Sequence, residues 1–181
     1  MSQYYTDYLK EGRQKLAKEL KIANIMAVPR LKKVVINVSL GEALANKKAV
    51  ETTMEHIGLI TGQKPVPTRA RKDISTFKLR KGEIVGIKVT LRAGKMYDFV
   101  EKLVKIVLPR IRDFRGIPLS GFDSRGNYTL GLSEQIVFPE IDASKIDKVR
   151  GLEVTLVTDS SEKESKKLME YLGFPFVKIK Q

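Results

Sequence analysis

The alternation of apolar and polar side chains in two segments, KKVVINVSL (32–40) and EIVGIKVTLR (83–92), constrains the fold of this chain more than any other feature. Successive side chains of a β-strand point to opposite faces, so a period of two predicts strands that are buried on one face only. The predicted buried positions are Val34, Ile36, Val38, Leu40, Val85, Ile87, Val89 and Leu91. Such strands are typical of antiparallel sheets with one covered face.

Apolar residues at helical spacing separate these strands in a regular order. The predicted helices cover residues 4–20, 43–60, 95–108 and 161–172. The last of them opens on a capping-box pattern, Ser161 with Glu164, and Gly173 closes it. Further strands are predicted at 65–71 and 151–158. Two prolines in the first of these segments indicate a sheet edge or a strand start.

This order predicts an α+β fold: an antiparallel-rich sheet with ferredoxin-like split βαβ order, helices packed on one face, and a polar and basic open face. The length of 181 residues suggests a single domain, 1–181. We expect three attachments to it: an N-terminal helix within residues 1–28, a protruding basic loop (72–83) and a long irregular interaction region (109–145).

The net charge of +13 favours a polyanionic partner. The charge is concentrated, because residues 61–92 hold nine bases and two acids, more than half of the excess. We expect no signal peptide, since the N-terminus is polar, and no membrane partner, since no apolar run is long enough to span a bilayer. The absence of cysteine excludes disulfides and thiolate chemistry, and it is compatible with a reducing cytosol.

If the helices cover the aliphatic face, the other face collects cations and hydrogen-bonding side chains. Alternation places there Lys33, Asn37, Ser39, Arg69, Arg71, Lys88, Thr90 and Arg92. Cations neutralise phosphates, while amides and hydroxyls reach 2′-hydroxyls and base edges, so this face suits RNA. The alternative is an ordinary solvated face of an antiparallel sheet.

The sequence contains few candidate residues for catalysis or metal binding. His56 is the single histidine, and we expect a surface or boundary position for it. Zinc sites need clustered His or Cys, and no P-loop or GxGxxG fingerprint is present. A two-metal nuclease site remains the alternative from another class. Its carboxylates would come from Asp113, Asp123, Glu134, Glu140 and Asp142, which could instead pair with neighbouring arginines.

Three long motifs resemble the bacterial large-subunit ribosomal protein L-five family: ITGQKPVPTRARK (60–72), RIRDFRGIPLSGFDSRGNYTLG (110–131) and EQIVFPEI (134–141). The resemblance covers nearly the whole chain. It implies a structural, non-enzymatic and cofactor-free component of the cytoplasmic ribosome, in the central protuberance. The implied partners are 5S rRNA, 23S rRNA, P-site tRNA and a small-subunit head protein, with the chain monomeric within the ribosome.

Carried onto this sequence, the family's 5S rRNA-binding positions are Asn37, Gln63, Thr68, Arg69, Arg71, Lys88, Thr90 and Arg92. The tRNA-contacting loop would carry Lys72, Phe77, Lys78, Arg80 and Lys81. Intersubunit or rRNA contacts would come from Arg110, Arg112, Arg115 and Arg125. The chain departs from the family at Asp73, where a small residue is usual.

Several of these residues also have a purely structural interpretation. Gln63 could terminate a helix, and the arginines and acids of RIRDFRG could form an ion-pair network. For Phe77 we expect inward packing that pins the basic loop, rather than stacking on a base. An RNA chaperone that leaves the mature particle is a third hypothesis, distinguishable by sedimentation with large subunits.

Overall fold

A computed structural model describes residues 3–41, 47–142 and 146–177. Its strands are β1 (Leu31–Ser39), β2 (Val66–Arg69), β3 (Ile84–Leu91), β4 (Tyr128–Leu132) and β5 (Leu152–Thr158). They form one sheet in the order β2-β3-β1-β5-β4, with β2 and β3 antiparallel. The predicted α+β class with an antiparallel sheet is confirmed.

The split βαβ order is present, because β3 lies between β1 and β2 in the sheet. The order β2-β3-β1-β5 is that of a ferredoxin-like sheet. β4 is an addition at the far edge, and it corrects the prediction that region 109–145 is irregular throughout. Tyr128, Leu130 and Leu132 are buried along it while Gly131 is exposed, so the segment has the alternation of a half-buried strand.

Within the described ranges, four helices of more than one turn accompany the sheet. Helix α1 is α-helical over Gln3–Asp7, a π-turn over Tyr8–Gly12 and α-helical again over Arg13–Glu19. Helix α2 is Lys47–Thr61 and helix α4 is Glu162–Tyr171. Helix α3 runs over Ala93–Lys102, a π-turn Leu103–Val107 and a last turn Leu108–Arg110.

Helix α3 therefore continues past Pro109, where the sequence predicts its end. The amide of Leu108 donates to the carbonyl of Leu103, five residues back, so the hydrogen-bond ladder has already shifted before the proline. Pro109 then lies in the first two positions of a short last turn, Leu108–Arg110, where a missing N–H costs little. The predicted start of α4 is confirmed, since the Glu164 carboxylate accepts hydrogen bonds from the N–H and the hydroxyl of Ser161.

Contacts divide the described residues into two compact units. Unit 1 contains 3–34, 92–130 and 155–177, and unit 2 contains 35–41, 47–91, 131–142 and 146–154. Each unit has a buried apolar core. That of unit 1 includes Tyr8, Leu16, Phe99, Leu103, Tyr128, Leu156 and Leu168. That of unit 2 includes Ile36, Val38, Ile57, Ile60, Ile87, Leu91, Phe138 and Val154.

Some predictions fall outside the described residues. They concern the start of the N-terminal helix (1–2), the start of the second predicted helix (43–46), the end of the predicted interaction region (143–145) and the last residues of the chain (178–181). In the ranges that are described, none of the helices combines the length and the apolar composition that crossing a membrane requires.

Candidate nucleic-acid interface

The open face of the sheet in unit 2 is polar, as the alternation predicts. Asn37 and Ser39 on β1, and Lys88 and Thr90 on β3, are exposed or half-buried, while the residues between them are buried. The Asn37 amide lies 3.5 Å from the carboxylate of Glu153 on β5, the long limit of a hydrogen bond. Its remaining hydrogen-bonding capacity is available to a ligand.

Strand β2 adds Thr68 to this face. Thr68 pairs with Gly86 in the antiparallel register, whereas Arg69 follows a register shift and pairs with Ile84. A Cβ on Gly86 would lie 3.1 Å from the Thr68 hydroxyl and 2.6 Å from the Val38 carbonyl, so glycine permits this close approach. Arg69 thus lies opposite Ile84, which has the same parity along β3 as Gly86 and Lys88, so the simple alternation of β2 is interrupted at the register shift.

The placement of Arg69 and Arg71 on the sheet face stays a prediction, because the register shift interrupts the alternation of β2 at Arg69. Arg69 donates a hydrogen bond from its guanidinium to the carbonyl of Gly82, at 2.8 Å, and so fastens the base of the basic loop. Arg71 lies beyond the end of β2, exposed, in a bend. Both remain candidates for RNA contact.

Gln63 is a structural residue as well as a candidate contact. It follows Gly62, whose φ of +62° ends helix α2, and its N–H donates to the Thr61 hydroxyl. Its side-chain amide donates to the carbonyl of Thr90 at 3.1 Å. The turn after α2 is thereby tied to the strand that carries Lys88 and Thr90, with the Gln63 side-chain oxygen left to accept from a ligand.

The basic loop (72–83) is closed by two layers of hydrogen bonds. At its base, the N–H of Ala70 donates to the backbone carbonyl of Glu83 at 2.8 Å. The N–H of Gly82 donates to the backbone carbonyl of Ala70 at 3.0 Å. Further out, Ile74 and Leu79 form an antiparallel bridge. A 3₁₀ turn, Ser75–Phe77, caps the loop, and Lys78 follows it in the left-handed conformation, with φ of 51°.

Two acids hold the backbone of this loop. The N–H of Lys81 donates to the Asp73 carboxylate, and the N–H of Arg80 donates to the Glu83 carboxylate, both at 2.6 Å. Both carboxylates therefore accept hydrogen bonds from backbone N–H groups of the loop. The charged side chains of the loop are exposed: Lys72, Lys78, Arg80 and Lys81.

Phe77 corrects a prediction, because its side chain is 72% exposed instead of packed inward. Ile74 beside it is 42% exposed, and only Leu79 is half-buried. The loop is too short to cover its own aromatic ring. A cationic loop with an exposed aromatic at its tip is the combination by which proteins engage nucleic-acid bases.

The other two predicted rRNA residues, Lys33 and Arg92, lie in unit 1 and line a groove of about 720 Å³. Arg30, Lys32 and Arg125 contribute three further cations to its walls, and Leu31 and Val157 contribute apolar surface. Asp159 pairs with Arg30 at 3.1 Å and with Lys32 at 3.6 Å. The alternation of strands could not predict this groove, since Arg125 comes from a distant loop.

The turn that carries Arg125 is rigidly built. The Asp123 carboxylate accepts from the N–H groups of Arg125 and Asn127 and from the Asn127 amide, at 2.7 to 2.9 Å. The hydrogen bond from Asn127 is the main reason why the pKa of Asp123 lies below its ordinary value. On the other side, the Thr158 hydroxyl donates to the Gly126 carbonyl, and the Thr158 N–H donates to the Asn127 side chain.

The remaining arginines of region 109–145, Arg110, Arg112 and Arg115, are exposed in unit 1. The part of this region that belongs to unit 2 is organised by Arg150, which the sequence does not single out. Its guanidinium is 6% exposed and donates to both carboxylate oxygens of Asp147 at 2.9 Å. Buried Gln135 donates to the Lys148 carbonyl beside this pair.

The structure provides no support for the nuclease alternative. In the described part of the chain, no group of three or more His, Asp or Glu side chains is placed to hold a metal ion. His56 is 8% exposed, more buried than expected, and its Nδ1 has no hydrogen-bond partner among the described residues. Asp123, one of the candidate acids, is used by its own turn.

A basic α+β chain with a polar sheet face and an exposed cationic loop is typical of proteins that bind nucleic acid. Two protein-family models match it. One, which describes the C-terminus of the ribosomal protein L5 family, matches residues 84–176, and the other, described as Ribosomal protein L5, matches residues 24–80.

Curated relatives agree over nearly the full length. The chain is 49% identical over 180 residues to the large ribosomal subunit protein uL5 of Desulforamulus reducens, with 99% of each chain covered. It is 52% identical to that of Caldanaerobacter subterraneus, covering 98% of this chain and all of the relative, and 54% identical to that of Chloroflexus aggregans, covering 93% and 94%. The chain belongs to the ribosomal protein L5 family, and is a structural protein of the large ribosomal subunit, not an enzyme.

Proposed function

We propose that this chain binds 5S rRNA through the polar open face of unit 2 and helps to attach it, with 23S rRNA, in the central protuberance. The observation that supports this most is the face itself: Asn37, Ser39, Thr68, Lys88 and Thr90 lie exposed or half-buried on one side of three adjacent strands. An amide and three hydroxyls beside the Lys88 ammonium group match a ribose–phosphate backbone.

The basic loop contacts a second RNA, the P-site tRNA. Its cations and Phe77 are exposed, while its backbone is fixed by the carboxylates of Asp73 and Glu83. A loop that is already ordered loses less conformational entropy on binding than a flexible one. The tip would therefore meet the tRNA in the conformation that it has in the free chain.

A third surface bridges to a small-subunit head protein. The exposed arginines of region 109–145, which lie in unit 1, offer a charged surface for such a contact. Phosphate binding and protein contact both remain compatible with Arg110, Arg112 and Arg115.

The division of labour is tested by measuring the affinity of variants for 5S rRNA. Lys88→Ala with Thr90→Ala removes a cation and a hydroxyl from the open face, and we expect affinity to fall about tenfold or more. Lys78→Ala with Arg80→Ala in the loop should leave 5S rRNA affinity almost intact. Lys163→Ala on exposed α4 serves as the matched control for the loss of one surface cation.

Loss of 5S rRNA binding in the loop variant, with the open-face variant unaffected, would refute the assignment. Sedimentation addresses retention in the particle. Stable co-migration of the chain with large subunits at moderate salt is the expected result, and its release from mature particles would favour an assembly factor.

A further inference from the structure

The groove of unit 1 contains more cations than the open face and has a different chemistry. Five basic side chains, those of Arg30, Lys32, Lys33, Arg92 and Arg125, surround about 720 Å³. Asp159 pairs with only Arg30 and Lys32. Among the described residues, no acidic side chain forms a direct ion pair with Lys33, Arg92 or Arg125, although Asp123 interacts electrostatically with Arg125 at longer range.

The neutral polar groups of the groove are already used inside the protein. The Asn127 amide donates to Asp123 while its oxygen accepts from the Thr158 N–H. The Thr158 hydroxyl donates to the Gly126 carbonyl and lies 2.7 Å from the Ser165 hydroxyl. The groups that remain free are ammonium and guanidinium groups, which only donate hydrogen bonds and so match the acceptor oxygens of phosphate.

The shape is compatible with a chain of phosphates and sugars. The volume is within the range of sites that hold a small ligand, and the apolar surface of Leu31 and Val157 can pack against ribose. Arg125 cannot readily move away, because its backbone N–H is held by Asp123 and the next residue is Gly126. A Cβ at Gly126 would lie 2.6 Å from the Ser165 hydroxyl, so this turn is seated closely against the start of α4.

We infer that this groove is a sequence-independent binding site for the RNA phosphate backbone, centred on Arg125. It extends the rRNA-binding surface beyond the predicted residues Lys33 and Arg92, and in that respect it rests on the proposed function. The open face would read the shape and hydroxyl groups of the RNA, whereas the groove contributes charge alone.

The test is the salt dependence of binding, measured with the full chain on two RNAs: 5S rRNA and an unrelated structured RNA of equal length. Each neutralised phosphate contributes about 0.7 to 0.9 to the slope of log affinity against log salt. Arg125→Gln should lower this slope by about that amount on both RNAs. Lys163→Gln, an equal change of charge on exposed α4, should leave the slope within error of the unsubstituted chain.

A second variant should change affinity and salt dependence in the opposite direction. Asp159→Asn releases Arg30 and Lys32 from their ion pairs, so affinity and slope should rise on both RNAs. An unchanged slope in Arg125→Gln, an equal loss in Lys163→Gln, or weaker binding by Asp159→Asn would each overturn the groove as a phosphate site. Equal affinity of the unsubstituted chain for the two RNAs would instead refute 5S rRNA recognition, while the groove is still judged by the slopes.

Discussion

The carboxylate of Asp73 accepts a hydrogen bond from the backbone N–H of Lys81 across the neck of the basic loop, at 2.6 Å. This contact gives a physical account of an acid in the most cationic part of the chain. The side chain binds a backbone donor, so it fixes the direction in which Lys78, Arg80 and Lys81 leave the loop. Asp73 lowers the net positive charge of the loop, but its carboxylate orders the loop backbone.

Removal of this acceptor should loosen the loop. In Asp73→Ala we expect faster amide exchange at Lys81 and its neighbours, with the global free energy of unfolding changed by less than about 0.5 kcal/mol, because the site is exposed. Asp73→Asn keeps an oxygen acceptor and should retain most of the protection. Equal protection of Lys81 in the unsubstituted and alanine forms would show that the bond does not order the loop.

Phe77 should matter for binding and not for stability. Its ring is 72% exposed, so Phe77→Ala should leave the melting temperature within about 1 °C of the unsubstituted chain. Affinity for tRNA should fall about 5- to 150-fold, if the ring stacks on one base. Phe77→Tyr, which keeps an aromatic face, is the matched control and should bind normally. A marked fall in melting temperature for Phe77→Ala would restore the inward-packing interpretation.

Gly126 should tolerate no side chain. Its φ is +75°, and a Cβ would meet the carbonyl oxygen of Ser160 as well as the Ser165 hydroxyl. The left-handed conformation and the clash together should cost Gly126→Ala about 2 to 4 kcal/mol of unfolding free energy. Gly94→Ala is the control, because nothing lies within 4 Å and the site is helical, so its stability should be unchanged or slightly higher. Denaturant unfolding measures both.

The pair of Asp147 and Arg150 should make stability depend on pH in the acid range. Hydrogen bonds from the Arg150 guanidinium lower the pKa of the Asp147 carboxyl from 3.8 to about 2. The unfolded chain therefore binds the proton more tightly, so the contribution is complete above the unfolded pKa and is lost as pH falls towards 2. The Asp147 side chain is 45% exposed, so solvent screens the pair. Its contribution to the free energy of unfolding is therefore about 1 kcal/mol.

The variant Asp147→Asn checks this sign. It should be less stable than the unsubstituted chain at about pH 6, and the difference should shrink at about pH 2.5, as followed by urea unfolding. Glu11→Gln is the control, since the Glu11–Lys15 pair is exposed on both sides and should contribute little. If the two forms differ in unfolding free energy by the same amount at both pH values, the variant loses stability through packing and not through the charge of Asp147.

The strands and helices with strong periodicity could be predicted from sequence because each carries its own signal. Strand β4 carries the same signal in Tyr128, Leu130 and Leu132, but it is short, contains Gly131 and follows a glycine-rich segment. The face on which Arg69 lies depends on the register shift after Thr68, which involves β3 and cannot be derived from β2 alone. The groove depends on tertiary structure, since the loop of Arg125 must meet the strand of Lys33.

Strand β2 has one further consequence, and it concerns the chain before it meets RNA. β2 is an edge of the sheet, and an edge strand with free backbone groups can pair with another molecule. Here the edge is only four residues long, and Pro67 in its middle has no N–H to donate. A second copy of the chain would find little to hydrogen-bond, so this edge of the sheet, beside the polar face, is protected from edge-to-edge pairing.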